Sequence, residues 1–161
     1  MWLLLKNLAF TVVAPGITGV LLPWLIARGG DRPDRWGAVE TAALAVALIG
    51  AMIYARCVWD FAHRGRATPA PIDAPRVLVV QGLYRYVRNP MYLGVLLVII
   101  AQALYFRSGA LAAYAAGWLL VVHLFTVLYE EPTLLRLFGG SYEGYRRAVR
   151  RWLPGRPYGG V

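Results

Sequence analysis

Apolar residues run almost unbroken from Trp2 to Ala27, and three further apolar runs follow, each closed off by a short polar segment. Each is about the length that crosses a bilayer as a helix, which takes roughly 20 residues. The pattern predicts an all-α integral membrane protein with four transmembrane helices at about 2–27, 37–59, 90–106 and 110–129, in one membrane domain covering 1–161. Pro15-Gly16 and Pro23 predict a bend or a break in the first span, tolerated where neighbouring helices satisfy the freed carbonyls. Gly50 permits close packing of the second span. Gly94 permits close approach of a ligand or another backbone to the third.

The polar segments carry their own signals. Arg28 to Arg35 mixes three arginines with Asp31 and Asp34, and Trp36 follows as an interfacial anchor. Arg56 and Asp60, four residues apart, predict a local pair at the end of the second span. From Phe61 to Gln81 the chain is polar and interrupted by Gly65, Pro69, Pro71 and Pro75, which excludes a long helix and predicts an extended loop. Asn89 and Pro90 form a helix start, with Asn as N-cap and Pro where a missing N–H costs nothing. Arg107-Ser108-Gly109 predicts a tight turn, so the last two spans form a hairpin with both ends on one side. After Glu130-Glu131-Pro132, the residues Tyr142, Tyr145, Val149 and Trp152 recur at spacings of three and four, with Arg146, Arg147, Arg150 and Arg151 on other faces. This predicts an amphipathic cytoplasmic C-terminal helix on the membrane surface, capped by Ser141 and ended by Pro154-Gly155.

Composition agrees with the pattern. The 161 residues are 59% hydrophobic and 16% charged, with a mean hydropathy of +0.53, whereas soluble domains carry about a quarter charged residues. A net charge of +9 suggests nucleic acid in a soluble protein, but here the arginines sit between and after apolar runs. Topology and membrane lipids account for them, so no nucleic-acid partner is expected. Arg64, Arg66, Arg76, Arg85 and Arg88 precede the third span, and Arg136, Arg146, Arg147, Arg150, Arg151 and Arg156 follow the fourth. The positive-inside rule makes both segments cytoplasmic and, with four spans, places the N-terminus and Lys6 inside as well. The single cysteine, Cys57, excludes an internal disulfide and a multi-cysteine metal site, and no metal is expected. The first run lacks a small-residue cleavage site and reads as a span rather than a signal peptide.

Candidate chemistry gathers on the cytoplasmic side. Arg85 and Arg88 flank the start of the third span, whose free N–H groups and positive dipole end suit an anionic group. Glu130 and Glu131 end the fourth span on the same side, where carboxylates oppose the helix dipole and need another reason to be present. His123 lies one heptad before Glu130 and is either a site group or a core hydrogen-bonding residue. Glu130, Glu131 and His123 are therefore the candidate acid–base residues, with none assigned. Tyr84, Tyr86, Tyr92, Tyr142 and Tyr145 suit an interfacial belt or a stacked ligand ring. No Ser-His-Asp arrangement, P-loop or dinucleotide glycine fingerprint is present.

The run Gly82-Leu-Tyr-Arg-Tyr-Val-Arg-Asn-Pro-Met-Tyr-Leu-Gly94, followed after one hairpin by Glu130-Glu131-Pro-Thr-Leu-Leu-Arg-Leu-Phe-Gly139 and Tyr142-x-x-Tyr145, resembles the integral membrane methyltransferases. That superfamily includes isoprenylcysteine carboxyl methyltransferase and the phospholipid N-methyltransferases. The resemblance covers the C-terminal half, about 66–154. It implies S-adenosylmethionine as cofactor, bound from the cytosol without a Rossmann domain, and methyl transfer to a lipophilic or amphiphilic carboxylate, amine or thiol. By position, Tyr84, Arg88, Asn89, Pro90, Met91, Tyr92 and Glu130 match the cofactor-contacting motifs, with Arg76, Val77, Leu78 and Val79 contributing through the loop. Two departures bear on the acceptor. Asn89 stands where isoprenylcysteine enzymes usually have His, and Thr126 where the eukaryotic ones have Arg, so the chain is more similar to the bacterial and phospholipid-type branches, and a bacterial inner membrane is expected. The rival is a non-enzymatic lipid-binding or assembly factor of the same fold. Oligomeric state has no sequence signal.

Overall fold

The computed structural model describes residues 12–28, 35–60 and 78–159. Lys6, most of the first polar link, and the Pro-rich loop with Arg76 and Val77 lie outside the described residues. The described residues form helices and no strand. They comprise α1 (Leu22–Ala27), α2 (Ala38–Asp60), α3 (Pro90–Tyr105), α4 (Gly109–Phe125), α5 (Glu131–Phe138) and α6 (Gly140–Ala148). Two stretches wind wider, as π-helix: Val12–Leu21 before α1, and Thr126–Glu130 joining α4 to α5. A 3-10 turn covers Gly82–Arg85.

Among the described residues, two helices are long and apolar enough to cross a membrane, α2 and the continuous helix Gly109–Phe138. Of the other two expected spans, the first is described only from residue 12, and the third is shorter. Val13–Ala27 and α3 are apolar helices, and the 16 residues of α3 reach about 24 Å against a hydrocarbon core of about 30 Å.

The winding of the first apolar run widens around Pro15, and neighbours answer the disturbed backbone. Pro15 lies inside the π-helical stretch and Pro23 in the first turn of α1. The Tyr114 hydroxyl donates to the Thr18 carbonyl at 2.7 Å, and Gln102 Nε2 donates to the Gly19 carbonyl at 2.7 Å. A widened helix leaves carbonyls without their usual donors, and α3 and α4 supply replacements.

α2 and α3 cross at a pair of glycines. A Cβ on Gly50 would stand 2.6 Å from the Gly94 carbonyl oxygen, and one on Gly94 would stand 2.8 Å from the Gly50 oxygen. What approaches Gly94 is therefore the backbone of α2, and any side chain here would push the helices apart. Below the crossing, Cys57 of α2 packs with Tyr84 and Met91, and Val95 and Ile99 of α3 pack with Ala115 of α4. α3 and α4 are joined by Arg107, in the left-handed region at φ 47°, and Ser108, whose hydroxyl accepts from Leu111 N at 3.3 Å and caps α4.

The structure corrects three expectations beyond the fourth apolar run. The helix of the fourth apolar run does not stop at Tyr129 but continues to Phe138. Pro132 has no N–H for the carbonyl four residues back, and the wide turn before it absorbs the misfit, with the Glu131 N–H reaching the Thr126 carbonyl instead. The last helix is shorter than expected and starts from Gly139, at φ 51°, so Ser141 lies inside it and caps nothing. Its apolar face is covered by the protein. Tyr142, Tyr145 and Val149 pack on Leu78, Val80, Leu134, Leu135, Phe138 and Tyr158, a face that a helix lying on a bilayer would leave to lipid.

Beyond α6 the chain turns back as an extended strap rather than continuing as helix. Arg88 N donates to the Arg150 carbonyl, Gly155 N to the Tyr86 carbonyl and Tyr158 N to the Arg85 carbonyl, each at 2.9 Å. The strap lies along the segment that leads into α3. Behind that segment, Asp60 is buried at the end of α2, 3.4 Å from Arg56. Gly82 adopts φ +59° against it, where a Cβ would collide with the Asp60 carboxylate.

Candidate functional site

Four segments meet where α3 begins: residues 82–89, the first turn of α3, the wide turn with the start of α5, and the strap. Asn89 occupies the N-cap position, as its sequence predicts, but its side chain does not cap. Its Nδ2 donates to the Arg151 carbonyl at 3.3 Å, which ties the side chain to the strap rather than to the helix end. Pro90 is buried in the first helical position, and the first-turn N–H groups receive no side-chain acceptor.

The adjacent glutamates have different surroundings. Glu131 is buried and accepts from Arg88 Nη1 at 2.8 Å, Arg151 Nε at 2.7 Å and Arg151 Nη2 at 3.0 Å. Two guanidinium groups from distant segments thus share one carboxylate, and one of them grips it in the two-pronged geometry that favours arginine. The hydrogen bond to Glu131 holds Arg151 above the usual guanidinium range. Glu130 accepts from the Tyr92 hydroxyl at 3.2 Å and has no cationic partner among the described residues.

Aromatic rings surround this pair. The Tyr92 ring lies 6.4 Å from Trp118 and 6.4 Å from Trp152. The Trp152 Nε1–H donates to His123 Nδ1 at 3.0 Å, which gives His123 the hydrogen-bonding role open to it from sequence. Tyr84 and Met91 pack together with Cys57 and Val79, and Leu78 packs against α6. The Tyr145 hydroxyl donates to the Tyr84 carbonyl at 2.7 Å. Burial pushes the Tyr84, Tyr142 and Tyr145 phenols up, so at neutral pH they are uncharged donors.

The structure thus brings Tyr84, Arg88, Asn89, Pro90, Met91, Tyr92, Glu130, Glu131 and His123 into one neighbourhood, with Leu78 and Val79 at its edge. It adds Arg151 and Trp152, which sequence reasoning placed on a surface helix. The signal was thin: Trp152 fits the helical spacing of Tyr145 and Val149, and nothing in the spacing marks where the helix stops. Two apolar cavities lie elsewhere. One, of about 430 Å³, opens between α3 and α4 beside Ile100, Ala103, Ala112 and Ala115, and another, of about 170 Å³, sits between Ala43, Ala47 and Tyr105. Neither includes a candidate site residue.

Comparison with known proteins gives this neighbourhood a family. The sequence matches the model for phospholipid methyltransferase over residues 39–141. An uncharacterized protein of Haemophilus influenzae is 35% identical over 63 residues, which is 39% of this chain and 100% of that relative. No solved structure matches the chain. The family match takes in α2, α3, the long helix, Asn89 and both glutamates, well over half of the sequence, and the chain belongs to the phospholipid methyltransferase family.

Proposed function

We propose that the protein transfers a methyl group from S-adenosylmethionine to a lipophilic or amphiphilic acceptor that enters from the membrane between helices. Family membership sets the class as a membrane methyltransferase. One observation carries the finer reading: Glu130 is half-buried beside Tyr92 with no cation among the described residues, while Glu131 next to it is matched by two arginines. A carboxylate drawn away from water without a counter-charge suits a ligand that brings one.

The residues present fit the cofactor. Its methionine part carries a carboxylate, an amino group and a sulfonium. The open first turn of α3 and the Arg88 Nε, buried without a partner among the described residues, suit the carboxylate, while Glu130 suits the amino group or ribose hydroxyls. Asn89, Pro90, Met91, Tyr92 and Tyr84 would line the same place, with Leu78 and Val79 at its edge, and Arg76 and Val77 are candidate contacts by sequence position. When bound, the cofactor supplies a methyl group already activated on sulfur. The chain's own task is alignment of the acceptor and exclusion of water, which the rings of Tyr92, Trp118 and Trp152 serve. A carboxylate or thiolate acceptor needs no base. An amine loses a proton, and Glu130 is the carboxylate with lone pairs to take it. In this reading the site and both termini face the cytoplasm, which the arginine distribution supports, and the membrane is a bacterial inner membrane, which the resemblance to the bacterial branch supports.

Incubating membranes that contain the protein with labelled methyl donor tests the reading, with label expected in a lipid or small amphiphile. Glu130→Gln and Asn89→Ala are expected to weaken cofactor binding at least about tenfold in calorimetry, about 1.4 kcal/mol, with the fold kept. Unchanged affinity in both variants would overturn the site assignment.

A further inference from the structure

We infer that Trp152 is a positioning residue of this site: carried in by the strap, its indole N–H fixes His123 as the neutral ring with its proton on Nε2, and so removes His123 from the candidate bases. The inference rests on the functional reading above for its place in catalysis, but on geometry for its substance. Trp152 lies outside the stretch that the family match covers.

An indole nitrogen only donates. At 3.0 Å from Trp152 Nε1, His123 Nδ1 must present a lone pair, and a neutral imidazole then carries its single proton on Nε2. The lone pair that a base would use at Nδ1 is already engaged, and the other nitrogen is a donor. His123 therefore offers the site an N–H, and the lone pairs of Glu130 remain for proton removal.

The placement of Trp152 is set from both sides. Arg151 just before it is clamped on Glu131 through two nitrogens, and its carbonyl accepts from Asn89. Gly155 shortly after is bonded to the Tyr86 carbonyl. The ring itself packs 6.0 Å from His123 and 6.4 Å from Tyr92, the residue that donates to Glu130. One side chain thus touches both His123 and the partner of Glu130.

Ring-nitrogen NMR on the full chain in lipid nanodiscs tests this without methyl donor or acceptor, so its failure is distinct from failure of the methyltransferase reading. The chain has two histidines, His63 and His123, and His63→Gln assigns the signals. Using ¹⁵N-labelled histidine at neutral pH, His123 is expected as a single tautomer, unprotonated at Nδ1 and protonated at Nε2. Trp152→Phe keeps an aromatic ring and removes the donor, and is expected to give both tautomers in exchange. A wild-type His123 protonated at Nδ1 would overturn the inference on its own, whether or not the variant folds. Identical spectra in the two proteins would overturn it as well.

Discussion

Each end of the bundle buries a glutamate against arginine, and the two ends do it differently. At the α3–α4 turn, Glu40 of α2 accepts from Arg107 at 3.0 Å and from the Gly37 N–H at 2.9 Å, and 67% of the Arg107 side chain is exposed. Where α3 begins, Glu131 takes three hydrogen bonds from Arg88 and Arg151, whose side chains are only 11% and 28% exposed. The first pair closes a turn between two helices, and water or lipid headgroups stand ready to replace the arginine. The second ties three segments of chain together and is largely shut off from water. The difference teaches where this protein concentrates charge to hold shape, which is beside the carboxylate it keeps unmatched.

Substitutions sharpen or break that contrast. Glu131→Ala should be the most damaging, because it strands two enclosed guanidinium groups. A loss of about 3–5 kcal/mol is expected from unfolding of the purified protein in detergent, and a loss under about 1 kcal/mol would make the two ends alike. Ser108→Ala removes a cap at the opposite end and should cost about 1 kcal/mol by the same measurement, with methyl transfer retained. Arg107→Ala should do least: Glu40 keeps the Gly37 N–H, water can take the place of the exposed guanidinium, and the unfolding midpoint should stay within about 2 °C of wild type. A larger fall would show that the turn end is as tightly held as the site end.

Much of the bundle was legible because its causes are local or periodic. Pro90 after Asn89 marks a helix start, Ser108 marks the next, and Gly50 and Gly94 mark a close contact through the side chain they lack. The limits have the same origin. Asn89 has the chemistry of a cap, and nothing in its local sequence shows that its side chain reaches the strap at Arg151 instead. Pro132 reads as a helix end because a regular α-helix cannot accommodate it, whereas five residues of wider winding can. Tyr142, Tyr145 and Val149 show an apolar face, but the pattern alone does not say whether lipid or Leu134 and Phe138 will cover it. The pairing of Arg151 with Glu131 and the reach of Trp152 to His123 join positions 20 and 29 residues apart through an irregular segment, which no spacing encodes. The glutamates themselves were found as a pair, but their separate fates depend on which of them the arginines reach.

The wide turn at Thr126–Glu130 has a consequence for how this gene can change. Successive residues of an α-helix are set about 100° apart around the axis, so losing one residue from this stretch, with regular winding restored, would swing everything beyond it through a comparable angle. Glu131 would leave its arginines, and α6 would leave its bed. Leu128, 72% exposed, shows the asymmetry: most apolar replacements should pass there unnoticed, while an in-frame deletion of the same codon should be intolerable. What is inherited at that position is a count of residues rather than a choice among them.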